Sequence, residues 1–275
     1  MKIDDLKSIA EKFKNTQKMP VLFIGHGSPM NAIEDNEFTK NWNIIGKSIQ
    51  RPNAIVCISA HWETNGTQIT AMENPKTIHD FGGFPKALFD VEYPAKGNPK
   101  LAEEIKNTVA STAIILDYNW GIDHGAWSIL RHLYPDADIP LIQLSLDYNK
   151  TPNYHYEFAK NLNFLRHKGI LVIGSGNLVH NLSMIAWDKL NESEYGYDWA
   201  NEMSLIFKTN ITSGNHKALV DYNNLSRYSK LAIPTPEHYL PLLYTLALQD
   251  KNDSVSFFND KAIGGSLTMT SLLIN

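Results

Sequence analysis

The chain has 275 residues, 25 basic and 29 acidic side chains for a net charge of -4, and one cysteine. It has no basic stretch that would neutralise a run of phosphates and no apolar run of about eighteen residues, so neither nucleic acid nor a membrane is an expected partner. Cys57, inside the apolar run AIVCIS, has no second thiol to pair with and reads as a buried small hydrophobe in a reducing compartment.

The opening MKIDDLKSIAEKFKNTQK is charged and amphipathic with no apolar signal core, so residues 1–18 are expected to form a helical extension of an unexported, cytoplasmic protein. Strands are then expected at about 20–25, 54–60 and 67–72, a helix near 99–111, a strand at 112–116 and a helix at 124–134. The run IPLIQLSL predicts a strand at 139–146, NYHYEFAKNLNFLRHK a helix at 153–168, and GILVIGSG a strand at 169–176. Helices at 199–211 and 238–248 and strands at 254–258 and 265–273 complete the series. This strand–helix succession with continuous apolar strands predicts an α/β fold whose mostly parallel sheet is covered on both faces. No repeat or long linker marks a boundary, so residues 19–275 are expected to form one domain. The segment 73–98, rich in Gly, Pro and aromatic residues, is expected to be an irregular loop that helps wall the site, the alternative being a surface loop packed on its own Phe81, Phe84 and Phe89.

Four histidines sit in short Gly- or Pro-framed segments: His26 in VLFIGHGSP, His61 in AIVCISAHWET, His180 in ILVIGSGNLVHNL and His238 in IPTPEHYLP. Ligands of an open α/β sheet collect in the crevice beyond the carboxyl ends of its strands, and neutral imidazole is the commonest nitrogen ligand for zinc and iron. These histidines therefore read as a shared metal site. Period-2 alternation puts Glu63 on the face of His61 as a candidate outer partner, and PEH leaves Glu237 and His238 as alternative ligands. In GIDHGAW, Asp123 is a candidate helix N-cap and His124 a first-turn residue suited to holding a substrate oxygen. His180, after its Gly-rich turn, is placed for general acid/base work. His79, His132, His155, His167 and His216 lack such framing and are assigned to structure or surface. The P-loop and serine-elbow patterns are both absent.

GHGSP, SAHWE, DHG, GSGxxxHNL and PEHYLPLL, in this order, resemble the DOPA-type branch of the class III extradiol ring-opening dioxygenases from about Met19 to the C-terminus. The resemblance implies a single α/β/α domain with one non-haem Fe(II), a position in which zinc is sometimes found. It implies that His26, His61 and His238 are ligands, that His180 acts as base or additionally touches the metal, and that His124 helps bind substrate. Protocatechuate-cleaving relatives use a glutamate as third ligand; here His238 is favoured over Glu237. The implied substrates are a catechol such as DOPA and dioxygen, the product is a muconic semialdehyde, and the assembly is a monomer or small homo-oligomer. The competing readings are a zinc hydrolase, which also uses three nitrogens plus water, and a non-enzymatic binding relative. A roomy cleft lined by Trp62, Phe81 or Trp127 would favour the dioxygenase.

Overall fold

The computed structural model describes residues 18–109, 112–190 and 192–275. The expected N-terminal helix, Lys18 apart, lies outside them. Ten strands are described: β1 (Val21–Gly25), β2 (Ala54–Thr64), β3 (Thr67–Thr70), β4 (Ile114–Asp117), β5 (Leu141–Asp147), β6 (Ile170–Gly176), β7 (Val255–Phe258), β8 (Ala262–Ile263), β9 (Leu267–Thr268) and β10 (Ser271–Ile274). The helices used below are α1 (Glu37–Ser48), α2 (Lys86–Phe89), α3 (Pro99–Thr108), α4 (His124–Leu133), α5 (Pro152–Lys160), α6 (Asp198–Thr212), α7 (His216–Val220), α8 (Ser229–Ala232) and α9 (Leu240–Ala247).

Eight strands form one sheet in the order β4-β3-β5-β2-β6-β1-β10-β7. Its centre, β5-β2-β6-β1, is parallel. β3 joins β5 antiparallel on one side, and β10 and β7 add antiparallel on the other. Successive side chains of a strand point to opposite faces, and the two cores follow that alternation. Val21, Phe23, Val56 and Val172 pack on one face with α5, α6 and α9, while Leu22, Ile24, Cys57 and Ile173 pack on the other with α1 and α4. The result is the expected three-layer α/β/α arrangement, with Cys57 buried as expected. No helix among the described residues is long and apolar enough to cross a membrane.

Several expected elements differ. No helix is expected between His26 and β2, yet α1 forms there, capped by Asn36, whose side chain accepts from Phe38 N and Thr39 N. Trp42 anchors it in the core. The helix expected over 153–168 ends at Lys160, where the Asn161 amide bonds the carbonyls of Glu157 and Phe158, and continues as a 3-10 turn over Asn163–Lys168. The strand expected at 265–273 splits: Leu267–Thr268 pairs with β8 as Thr268 N bonds Val179 O, and only Ser271–Ile274 enters the main sheet. β2 runs on to Thr64 through a register shift between Ile58 and Glu63.

Candidate metal centre and active site

The parallel strands end in one crevice. His26 follows Gly25, its amide bonding Gly176 O at the end of β6, while Gly27 takes a φ of +62° that turns the chain sharply away. His61 stands in the irregular stretch of β2. Asp123 caps α4 through Ala126 N and so fixes His124 at the first helical position; its carboxylate is further held by Ser59 Oγ and Gln143 Nε2, both at 2.7 Å. His180 is pinned by its amide to Ala232 O of α8. His238 lies in the Pro-framed turn before α9, its carbonyl accepting from Asn177 N just past β6.

These five segments, remote in sequence, bring all five predicted imidazoles together. Ring centroids lie 5.0 Å apart for His26–His61, 5.3 Å for His26–His238, 5.0 Å for His61–His238 and 3.9 Å for His61–His124. His180 stacks on His238 at 3.5 Å with an interplanar angle of 7°. Within this cluster two sets place one potential ligand atom per residue within 4.8 Å of each other: His26, His61 and His124, and His180, Glu237 and His238. His26, His124 and His238 are buried; His61, His180 and Glu237 are partly open and form the mouth.

The ring nitrogens divide their duties. Ser175 Oγ donates its only proton to Gly125 O at 2.5 Å, so at 3.0 Å it accepts from His26 Nδ1. His61 Nδ1 lies 3.6 Å from Asp80 Oδ2, His124 Nδ1 lies 2.9 Å from the same oxygen, and His238 Nδ1 lies 3.3 Å from Glu237 Oε1, which also accepts from Thr235 Oγ1. Outer partners on Nδ1 leave Nε2 for the centre. His26 Nε2 and His61 Nε2 face each other at 3.1 Å. With Nδ1 of His26 donating to Ser175, its Nε2 turns a lone pair toward His61, the form in which it can hold a cation between the two rings. The separation also suits the donor set, since nitrogens about 2.0–2.1 Å from one metal ion stand about 3 Å apart.

The electrostatics agree with neutral donors. Burial, and then the neighbouring imidazoles, push His26 and His238 well below the ordinary histidine value. Burial and His124 lower His61 to about 3, and burial lowers His180 to about 4 against a small opposing effect of Glu237. Burial alone would raise the Asp80 carboxyl, but its interactions with the ring and backbone N–H of His124, and then with His61, outweigh this and hold it low. Neutral imidazole is the form that binds a metal.

Asp80 joins the cluster with no sequence pattern to announce it. It lies in the expected wall loop, where no periodicity marks it, and it takes the place expected for Glu63: the shift in β2 breaks the alternation, and Glu63 is exposed. The same loop presents Phe81 edge-on to His124 at 5.5 Å, with Phe84 and Phe89 packed around it. Of the three aromatic residues whose place in a cleft would favour the dioxygenase, Trp62 is buried in a stack with Trp120 and Trp127 is buried with Nε1 on Ile78 O, which leaves Phe81 beside His124. The remaining histidines have structural partners or lie outside: His79 on Val91 O, His132 on Asn31 O, His155 on Tyr244 Oη, His216 on Tyr156 and Gln249, and His167 exposed.

Comparison with known proteins agrees with this architecture. The sequence model of the family described as the catalytic LigB subunit of aromatic ring-opening dioxygenase matches residues 20–266. The chain is 45% identical over 266 residues to a 4,5-DOPA dioxygenase extradiol of Escherichia coli K12, covering 94% of this chain and 96% of that protein. It is 34% identical over 258 residues to a protein of the same name from Beta vulgaris, covering 90% and 94%. A crystal structure of an uncharacterized protein from Escherichia coli K12 superimposes with a TM-score of 0.81 at 41% identity, covering 94% of this chain and all of that one. Matched over nearly its whole length, the chain belongs to the family of the catalytic subunit of aromatic ring-opening dioxygenase and is an extradiol ring-cleaving enzyme.

Proposed function

We propose that this protein opens the ring of a catechol with dioxygen at a divalent metal ion held by His26, His61 and His238, within a catalytic domain spanning residues 19–275. One observation carries the reading: the Nε2 atoms of His26 and His61 face each other at 3.1 Å within a cluster of five imidazoles. His238 is preferred to Glu237 because its Nδ1 leans on the Glu237 carboxylate, which makes Glu237 the outer partner of a ligand. The relatives' names supply the substrate class, an ortho-diphenol such as DOPA.

Bound ferrous iron supplies the acidity and redox capacity that bring a chelating catechol and dioxygen into reaction; zinc on the same nitrogens supplies only the acidity. The chain's residues do the rest. His180, neutral near pH 7 and beside His238 at the open mouth, accepts a proton from a substrate hydroxyl at its free ring nitrogen. Its ring lies parallel to that of His238, so the in-plane lone pairs of the two cannot both aim at one ion, which favours a base over a ligand. His124 directs its ring at the substrate oxygens, and the edge of Phe81 packs beside it.

The test is anaerobic reconstitution with Fe(II), then air and a panel of catechols that includes DOPA. Oxygen uptake and a yellow semialdehyde are expected with the iron protein and not with the zinc protein. No uptake with any catechol refutes the proposal. Metal content of His238→Ala and His124→Ala tests the ligand assignment: the first is expected to lose the ion and the second to keep it, and the reverse would place His124 in the ligand set with His26 and His61.

A further inference from the structure

We propose that Asp80 is a positioning residue that fixes the tautomer and direction of His124, so that a carboxylate from the 73–98 loop aims one imidazole of the cluster while lying close to a second, His61. Asp80 Oδ1 accepts the backbone N–H of His124 at 2.9 Å, while Oδ2 lies 2.9 Å from His124 Nδ1 and 3.6 Å from His61 Nδ1. The buried Nδ1 of His124 makes no fully aligned hydrogen bond among the described residues, and Asp80 Oδ2 at 2.9 Å is the carboxylate oxygen it faces. An ionised carboxylate only accepts hydrogen bonds, so beside it Nδ1 carries the proton and Nε2 is left to face the substrate.

The loop is built to deliver this group. Ile78 N bonds Ile122 O at 2.7 Å, Trp127 Nε1 bonds Ile78 O at 2.8 Å, and Phe81 packs against both His124 and Trp127. The residues on either side of Asp80 are thus fastened to α4 or its lead-in, the same element that carries His124. The neighbouring Asp123 does not compete for the ring, because Ser59, Gln143 and Ala126 occupy its oxygens.

This inference rests on the assignment of His124 to the substrate, and Asp80→Asn tests it. Asn preserves the volume and the carbonyl that receives His124 N–H, but presents an NH2 group to Nδ1 and so drives the imidazole proton to Nε2. In the zinc-loaded, full-length protein, 15N NMR of the imidazoles is expected to show Nδ1 of His124 protonated in the wild type and Nε2 protonated in Asp80→Asn. In the iron-loaded protein the variant is expected to retain its metal and lose about 10–100-fold in kcat, with KM changing less. Asp80→Glu, which restores an acceptor, is expected to recover part of the rate. An unprotonated Nδ1 in the wild type overturns the proposal even if the variant fails to fold, and so does an Asp80→Asn protein with unchanged tautomer and kcat. A wild-type enzyme inert to every catechol would instead defeat the proposed function and leave the tautomer result standing.

Discussion

Ser175 Oγ lies 3.0 Å from His26 Nδ1 and, having given its own proton to Gly125 O, meets that nitrogen as an acceptor. The hydroxyl therefore selects the His26 tautomer whose lone pair faces His61. Ser175→Ala leaves the buried Nδ1 proton without an acceptor and frees the ring to turn. Loss of such an outer partner weakens metal affinity by about 10–100-fold, and a chelator competition titration is expected to read that loss. Unchanged affinity would mean that packing alone sets the ring.

His180 is expected to behave differently. Its ring lies flat on His238, at the open side of the cluster, so His180→Ala removes a proton acceptor without opening the His26–His61 pair. Metal content is expected to be largely retained, while kcat falls about 10²–10⁴-fold, the range for loss of a general acid or base. Iron lost in proportion to activity would identify His180 as a ligand.

The histidines were legible because each stands where a buried strand ends or a Gly- or Pro-rich turn begins, and such positions open on the crevice of an α/β sheet. The layers were legible as well: AIVCI and ILVI are unbroken apolar runs, as strands covered on both faces require. Asp80 was not legible, since its partners lie 19 and 44 residues away in sequence and no local pattern links a loop carboxylate to them. Glu63 misled because one shift in β2 undoes period-2 reasoning. The helix Glu37–Ser48 was legible too, since Phe38, Trp42, Ile45 and Ile49 recur at helical spacing on the face that packs into the core, but the polar residues between them drew attention away from it.

The second glycine of GSG has a mechanical role. A Cβ on Gly176 would collide with the carbonyl oxygen of His238, the same oxygen that accepts from Asn177 N at 2.9 Å. Backbone cannot yield there as the tip of a flexible side chain would. Gly176→Ala is therefore expected to displace the His238 turn, lowering both the melting temperature and the metal content. The test is thermal unfolding with and without added zinc. A variant with wild-type metal content and a matched melting curve would show that the turn accommodates the methyl group.

His155 supplies a pH-dependent contribution to stability away from the metal centre. Its ring is buried with Nδ1 3.0 Å from Tyr244 Oη, and burial lowers its pKa to about 4 against the opposing effect of Asp147. Since an unfolded histidine titrates at about 6.5, the unfolded chain binds one more proton here than the folded one between pH 6.5 and 4. The contribution is thus fully present above pH 6.5 and is lost as pH falls toward 4, at a slope of up to about 1.4 kcal/mol per pH unit. His155→Gln, which keeps an amide for Tyr244, removes that proton from the balance. Urea unfolding of both proteins from pH 7.5 to 4 is expected to give a shallower fall for the variant, because the imidazoles of the cluster contribute alike to both. Parallel curves would show that His155 takes up its proton without unfolding.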